Sequence, residues 1–487
     1  MRKIATTLIL LVMATVAVQA QNMRAYLSYA TFNTPDDKPY IETYLTIKNS
    51  SLKQLVQQSG QYSGKLNVQI IFRQNDSTIV NYGKYELNGP EIVDTMDNAL
   101  TFLDVQRYSL AAGVYDLELM LDDLNDGKDP VVSHTTFEIG FPEDSISISD
   151  IEFLKSYEKK EGAGILDKNG YEIVPYVFNS FPEEEKELKF YAEIYHADKE
   201  VGEGAYVVYE YIRPFEVNKK LDKYFYIKRM NSGPVNVLMN TIDISNLATG
   251  NYLLVIEARN RKNELIASKE LFFYRDNPLV GFNETEVMTA DIANTFVEDI
   301  NYRDTLLLYI DYLYPITTTS EKIYVKSMLK TADVETLQKY FYNFWLDRNQ
   351  LDPQGEWLTY LQRVKEANAS FKAMNIPGYR TDRGRVYLQY GKPNVIADSH
   401  NEPAAYPYEI WHYYRIDGQR DVKFVFYTTD IVTNDFQLIH SNMVGELSNY
   451  HWQYQLYGRT MDAYSVDDMI VPDTWGSFAN DYYIQPR

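Results

Sequence analysis

Eight residues near the C-terminal end, Gly378-Tyr379-Arg380-Thr381-Asp382-Arg383-Gly384-Arg385, form the chain's densest set of groups able to act together. Three guanidinium forks match the planar geometry of a carboxylate or phosphate. Asp382 can pair with one of them or accept backbone N–H groups of a turn. Gly384 would let the chain reverse into Val386–Tyr390, where apolar and polar residues alternate as in a strand. Residues two apart on a strand share a face, so Arg383 and Arg385 would point the same way. Two uses follow: a polar knot that pins neighbouring elements, or a basic patch that meets an acidic partner loop.

Other constellations are weaker. Asp382, His412 or His440, and Ser441 contain the residue types of a hydrolytic triad. No Gly-x-Ser-x-Gly elbow accompanies them, and no spacing sets a nucleophile beside a base. His400-x-Glu402 and the pair His440 and His451 lack helical His-x-x-x-His or acidic-loop spacing. No catalytic residue, metal site or cofactor is therefore expected. Tyr450, Trp452 and Tyr454 alternate and would make an aromatic ladder on a strand, suited to a glycan or a protein surface. Cross-strand packing uses such rings equally.

The address is legible at the N-terminus. Arg2 and Lys3 precede an apolar run from Ile4 to Val18, and Val18-Gln19-Ala20 supplies small residues for cleavage, as in a secretory signal peptide over residues 1–20. Cleavage before Gln21 would leave 467 of 487 residues and take the net charge from −21 to −23. So acidic a chain repels phosphate backbones and anionic lipid, which argues against nucleic acid as a partner. The chain has no cysteine, hence no disulfide, thiol nucleophile or thiolate metal site. Past the leader no segment has the ~18 apolar residues of a membrane span, and Thr305–Tyr314 is interrupted by Asp311.

The elements that must position the cluster change character along the chain. Leu66–Phe72, Val114–Leu121 and Tyr252–Ala258 read as strands. Leu110-Ala111-Ala112-Gly113-Val114-Tyr115-Asp116-Leu117 recurs as Leu247-Ala248-Thr249-Gly250-Asn251-Tyr252-Leu253-Leu254. The shared leucine, glycine and tyrosine have the spacing of a tyrosine corner, and Leu117 and Leu254 would point into a core. The expectation is two tandem immunoglobulin-like β-sandwiches, 22–142 and 143–278, in a mixed β and α+β chain. A helical segment at 279–376 follows, with helices over Val334–Leu346 and from Asp352-Pro353 to about Met374. Residues 377–457 are expected as an antiparallel β-rich domain with strands at Val386–Tyr390, Tyr408–Tyr414, Val422–Tyr427 and Phe436–His440. Asp417-Gly418 supplies a hairpin turn, and 458–487 reads as an extended tail.

The run from the Asp352-Pro353 helix through Gly378-Tyr-Arg-Thr-Asp, Tyr390-Gly391-Lys392-Pro393, Tyr408-Glu409-Ile410-Trp411 and Phe424-Val425-Phe426 resembles the GWxTD domain. That family occurs in exported proteins of Bacteroidota and related bacteria. Gly378, Thr381 and Asp382 match its motif, and Tyr379 replaces the tryptophan. The resemblance implies an extracytoplasmic location with β-domains ahead of the motif, and no particular reaction. The function expected is a non-catalytic accessory protein, periplasmic and outer-membrane associated, docking to an envelope protein. Tyr379, Arg380, Arg383, Arg385 and Trp475 would face the partner. Gly378, Thr381, Asp382, Gly384 and Trp411 would hold the motif together. A glycan-binding module is the alternative, and an envelope-polymer hydrolase using His412 or His440 the third.

Overall fold

A computed structural model describes residues 23–74, 78–95, 100–160, 162, 164–202, 204–281, 289–416, 419–449, 452–458, 478–484 and 486. The leader, the Asp417-Gly418 turn, Tyr450, His451 and Trp475 lie outside these. The fold is mostly β, with several sheets and some helices, in two compact units, Met1–Phe141 and Pro142–Arg487. Among the described residues no helix is long and apolar enough to cross a membrane.

In the first unit, strands Ala25–Asn33, Pro39–Lys48 and Thr101–Ser109 form one antiparallel sheet. Thr78–Asn88, Lys65–Gln74, Gly113–Asp123 and Val131–Ile139 form another. Alternation decides which side chains meet between them. Tyr115, Leu117, Leu119 and Leu121 face inward, with Leu66, Val68, Ile70 and Phe72 beside them and Ile41, Leu45 and Ile47 opposite.

The second unit begins with a comparable sheet pair. Its core joins Leu188, Phe190, Ala192 and Ile194 of strand Glu187–Tyr195 to Val208, Ile212, Leu254, Ile256 and Phe273. The repeated corner is physical in both units. Tyr115 Oη donates to Ala111 O at 2.8 Å, and Tyr252 Oη to Ala248 O at 3.0 Å. Each ring stacks on a phenylalanine of the next strand, Phe137 or Phe273, with centroids 5.6 Å apart in both cases. Leu117 and Leu254 are fully buried.

Helices Arg303–Tyr312, Thr319–Thr331, Val334–Arg348 and Pro353–Phe371 follow in the same unit. Asp333 caps the third by accepting Thr336 N–H, and Asp352 caps the fourth by accepting Gly355 N–H. Leu337, Phe341, Phe344, Trp357 and Val364 meet in their core. An antiparallel sheet closes the unit in the order Val395–Ser399, Tyr408–Ile416, Gln419–Tyr427, Gln437–Ser441.

Three expectations about local structure are corrected. Asp382–Tyr390 is a helix, not a turn leading into a strand. Residues 452–456 are also helical, so Trp452 and Tyr454 form no ladder; Trp452 is buried against His440 and Tyr483. The end of the chain is not wholly extended, because Ala479–Ile484 is a helix. In the latter two, short helices bury aromatic rings on the final sheet, which an extended chain would leave half in water.

Candidate functional site

The helix over Asp382–Tyr390 explains the motif residue by residue. Thr381 is its N-cap: Oγ1 accepts Gly384 N–H at 3.1 Å and donates to Gly378 O at 2.8 Å. Both glycines exist for close approach rather than for a turn. A Cβ on Gly378 would stand 2.0 Å from Ala367 O, and one on Gly384 would stand 1.8 Å from Gly378 O. Three backbones therefore stack: the Pro353–Phe371 helix, the Gly378 turn and the motif helix. Arg363 completes the join by donating to the carbonyls of Tyr387 and Leu388 at 2.8 and 2.7 Å, near the negative end of the motif helix.

The charged residues leave this hub in different directions. Asp382 accepts the N–H of Leu438 at 2.8 Å, tying the helix start to the last strand of the sheet. Arg380 makes a two-pronged pair with Asp311 of the first helix, and the Tyr379 hydroxyl bonds to the same carboxylate. Burial, then the Asp311 bond, pushes the Tyr379 phenol up to about 12. Arg383 is 4% exposed and reaches Glu409 at 2.6 Å and Asn434 O and Oδ1 at 2.9 Å. Its guanidinium lies 4.1 Å from the centroid of Phe436. Arg385 grips Glu446 with two bonds of 2.7 and 2.8 Å, and Tyr390 Oη donates to the same carboxylate.

The expected common face of Arg383 and Arg385 is thus corrected. Two helical residues apart are about 200° around the axis, so the pair diverges. Asp382 orients neither; it serves a backbone group. Trp411 does sit beneath, fully buried between Phe371 and Phe426, and its Nε1 donates to Glu409 at 2.9 Å. Glu409 thereby links Arg383 to Trp411. Among the motif arginines, Arg380 keeps the most water contact, with 53% of its side chain exposed.

Sequence reading passed over the partners Asp311, Glu409, Asn434 and Glu446. One signal was present: Asp311 interrupts an apolar helical run, and an acid on such a face needs a cation or donor. Glu446, in a loop, carried no comparable mark.

The residues weighed for a triad are occupied elsewhere. Ser441 Oγ donates to Lys423 O at 2.8 Å, while His440 Nδ1 accepts Asn449 N–H at 3.1 Å and its Nε2 meets Tyr483 Oη at 2.8 Å. A bulge at Ile439 turns His440 away from the face of Phe436 and Leu438, correcting their expected alignment. His412 Nε2 lies 2.8 Å from Asp421, a carboxylate that also holds Lys423 Nζ at 2.8 Å. Glu402 accepts from Tyr408 Oη at 2.8 Å and Tyr457 Oη at 2.9 Å, so His400-x-Glu402 is not a paired ligand set. Among the described residues, no three His, Asp or Glu side chains gather in a metal-holding group.

The motif region is also joined to the preceding sheet pair. Lys219 Nζ meets Asp347 at 2.7 Å, and Phe215 packs on the core that contains Val386, Trp411 and Phe424. Glu216 and Lys322 lie in this seam. Burial raises the carboxyl and lowers the ammonium, each opposed by the other's charge.

The model of the GWxTD domain matches residues 295–454, so this part of the chain, helices included, is a GWxTD domain. No curated protein matches the chain. Among solved structures, fibronectin(III)-like modules of CbhA from Clostridium thermocellum are similar at 11% identity. That match covers 50% of this chain and 89% of that one, with a TM-score of 0.15. A putative beta-galactosidase from Bacteroides fragilis is similar at 8% identity over 48% of this chain and 32% of that one, with a TM-score of 0.18. Likenesses so slight carry no argument about fold or function.

Proposed function

We propose that this protein is a non-catalytic, extracytoplasmic accessory protein of the bacterial cell envelope. Its two sheet pairs are immunoglobulin-like sandwiches that act as spacers or docking modules, and its GWxTD domain meets an envelope protein associated with the outer membrane. One observation carries the reading: the motif spends its charges inside the domain. Arg380, Arg383 and Arg385 each hold a carboxylate from a different element. Such a hub ties helices, turn and sheet into one platform. The leader-like N-terminus supports export. The partner-facing role is assigned to Arg380, the most exposed of the three.

Crosslinking and affinity isolation of the tagged full chain from detergent-solubilised native envelopes tests this. The expected result is a stoichiometric outer-membrane protein crosslinked beside Arg380. Recovery of the protein alone overturns the reading.

A further inference from the structure

Helix Arg303–Tyr312 carries two apolar stripes, and the domain fully buries only one of them. Leu306 and Ile310 lie in the helical core. Asp304, Leu307, Leu308 and Asp311 have the i, i+3, i+4, i+7 spacing of a second helix face. Together with Leu329 of helix Thr319–Thr331 they line a groove of about 420 Å3. Leu308 is 45% exposed, and Leu307 and Leu329 are half-buried.

The two ends of this stripe differ in charge. Asp304 is exposed and has no ion pair among the described residues. Asp311 is covered by Arg380, which spends Nε, 3.0 Å away, and Nη2 on its two oxygens. Nη1 of Arg380 has no hydrogen-bond partner among the described residues, and the side chain is 53% exposed. A free carboxylate and a guanidinium with donors to spare thus flank the two leucines. The carboxylates at the ends are two helical turns, about 10.5 Å, apart along the axis.

The order Asp304-x-x-Leu307-Leu308-x-x-Asp311 reads the same in both directions. Run antiparallel against its own copy, the helix puts Leu307 against Leu308 of the second copy, and Asp304 against Asp311 with its Arg380. The leucines meet in the middle, and Nη1 of each Arg380 meets the Asp304 that faces it. Such self-complementarity is what a two-fold interface requires. Without Arg380 the same register would set carboxylate against carboxylate at both ends.

We infer that the GWxTD domain forms a two-fold dimer through this stripe, the occupant of the groove being helix Arg303–Tyr312 of a second copy. The pairing goes beyond the envelope docking role and needs no other protein. Arg380 stays at the edge of the contact, where the envelope protein proposed above also reaches it. A foreign amphipathic helix would cover the leucines without using the symmetric placement of Asp304 and the Asp311–Arg380 pair. Two ten-residue helices make a small interface, so the dimer is a reversible one.

Sedimentation equilibrium of the purified full chain from about 1 to 200 µM tests the pairing, since so small an interface corresponds to a micromolar dissociation constant. Monomers in exchange with dimers are expected. Leu308→Glu, at an exposed position, should weaken the dimer about tenfold or more with thermal unfolding unchanged. Asp304→Lys sets a cation against Arg380 of the second copy, and Arg380→Gln leaves Asp304 facing Asp311; each should weaken the dimer. Combined, the two changes set the new lysine against Asp311 and should restore it, which a purely structural effect of either would not do. A photocrosslinking side chain at position 308 should join two copies in native envelopes. The pairing is overturned if the chain stays monomeric throughout, if Leu308→Glu dimerises like the parent, if the double variant is as weak as the single ones, or if position 308 crosslinks only to a different protein.

Discussion

Gly384 lies against the carbonyl oxygen of Gly378 so closely that a methyl group at 384 would stand 1.8 Å from it. Thr381 bridges the same two residues through its hydroxyl, so turn, cap and helix start form one contact. Gly384→Ala must therefore separate the motif helix from the turn beneath it. A loss of about 3 kcal/mol or more is expected, read as the urea midpoint of the full chain. A neutral Gly384→Ala would mean the stacked backbones are not needed.

Arg383 and Glu409 form a shielded pair, with side chains 5% and 13% exposed. Arg383→Met leaves the carboxylate without its cation and should cost about 3–5 kcal/mol. Adding Glu409→Gln removes the stranded charge while keeping an acceptor for Trp411 Nε1, so the double variant should regain part of the loss. Were the double variant no more stable than Arg383→Met, the pairing would not be what holds this region.

Tyr379 stands where the family motif has tryptophan, and its hydroxyl bonds to Asp311, which also holds Arg380. Tyr379→Phe keeps the ring against Tyr312, 4.8 Å between centroids, and removes only that bond. About 2 kcal/mol should be lost. Asp311→Asn on the Tyr379→Phe background should then cost less than on the parent, and a double-mutant cycle measures the coupling.

His440 gives the fold a pH response. Burial lowers its imidazole from 6.5 to about 4. Between these values the unfolded chain binds a proton that the folded chain refuses, so stability rises with pH across the window. The contribution is complete above 6.5 and is lost as pH falls toward 4. His440→Asn should flatten that part of the stability profile, measured by urea unfolding across and above the window. Parallel profiles for variant and parent would refute the assignment.

The two tyrosine corners should behave as separate local ties, since each bonds only to a carbonyl four residues upstream. Tyr115→Phe and Tyr252→Phe should each cost about 1 kcal/mol. Hydrogen exchange should rise around 111–117 in the first variant and around 248–254 in the second. Equal changes at both corners in either variant would contradict independent ties.

The sequence by itself determined the features set by local spacing. The echo of Leu110–Leu117 in Leu247–Leu254 specified two corners, because the tyrosine reaches a carbonyl within its own turn. Asp352-Pro353 marked a helix start, since capping is a contact over three residues. The motif helix was misread although Thr381 and Gly391, at φ +85°, stand at its two ends. Over five residues, Val386–Tyr390 fits an alternating strand as readily as a helix turn. Packing against Ala367 and Gly378 broke that tie. Which carboxylate each arginine holds was decided only by tertiary structure. Asp311 lies 69 residues before Arg380, and Glu446 lies 61 residues after Arg385. No spacing rule reaches so far, because the fold and not the chain sets those distances.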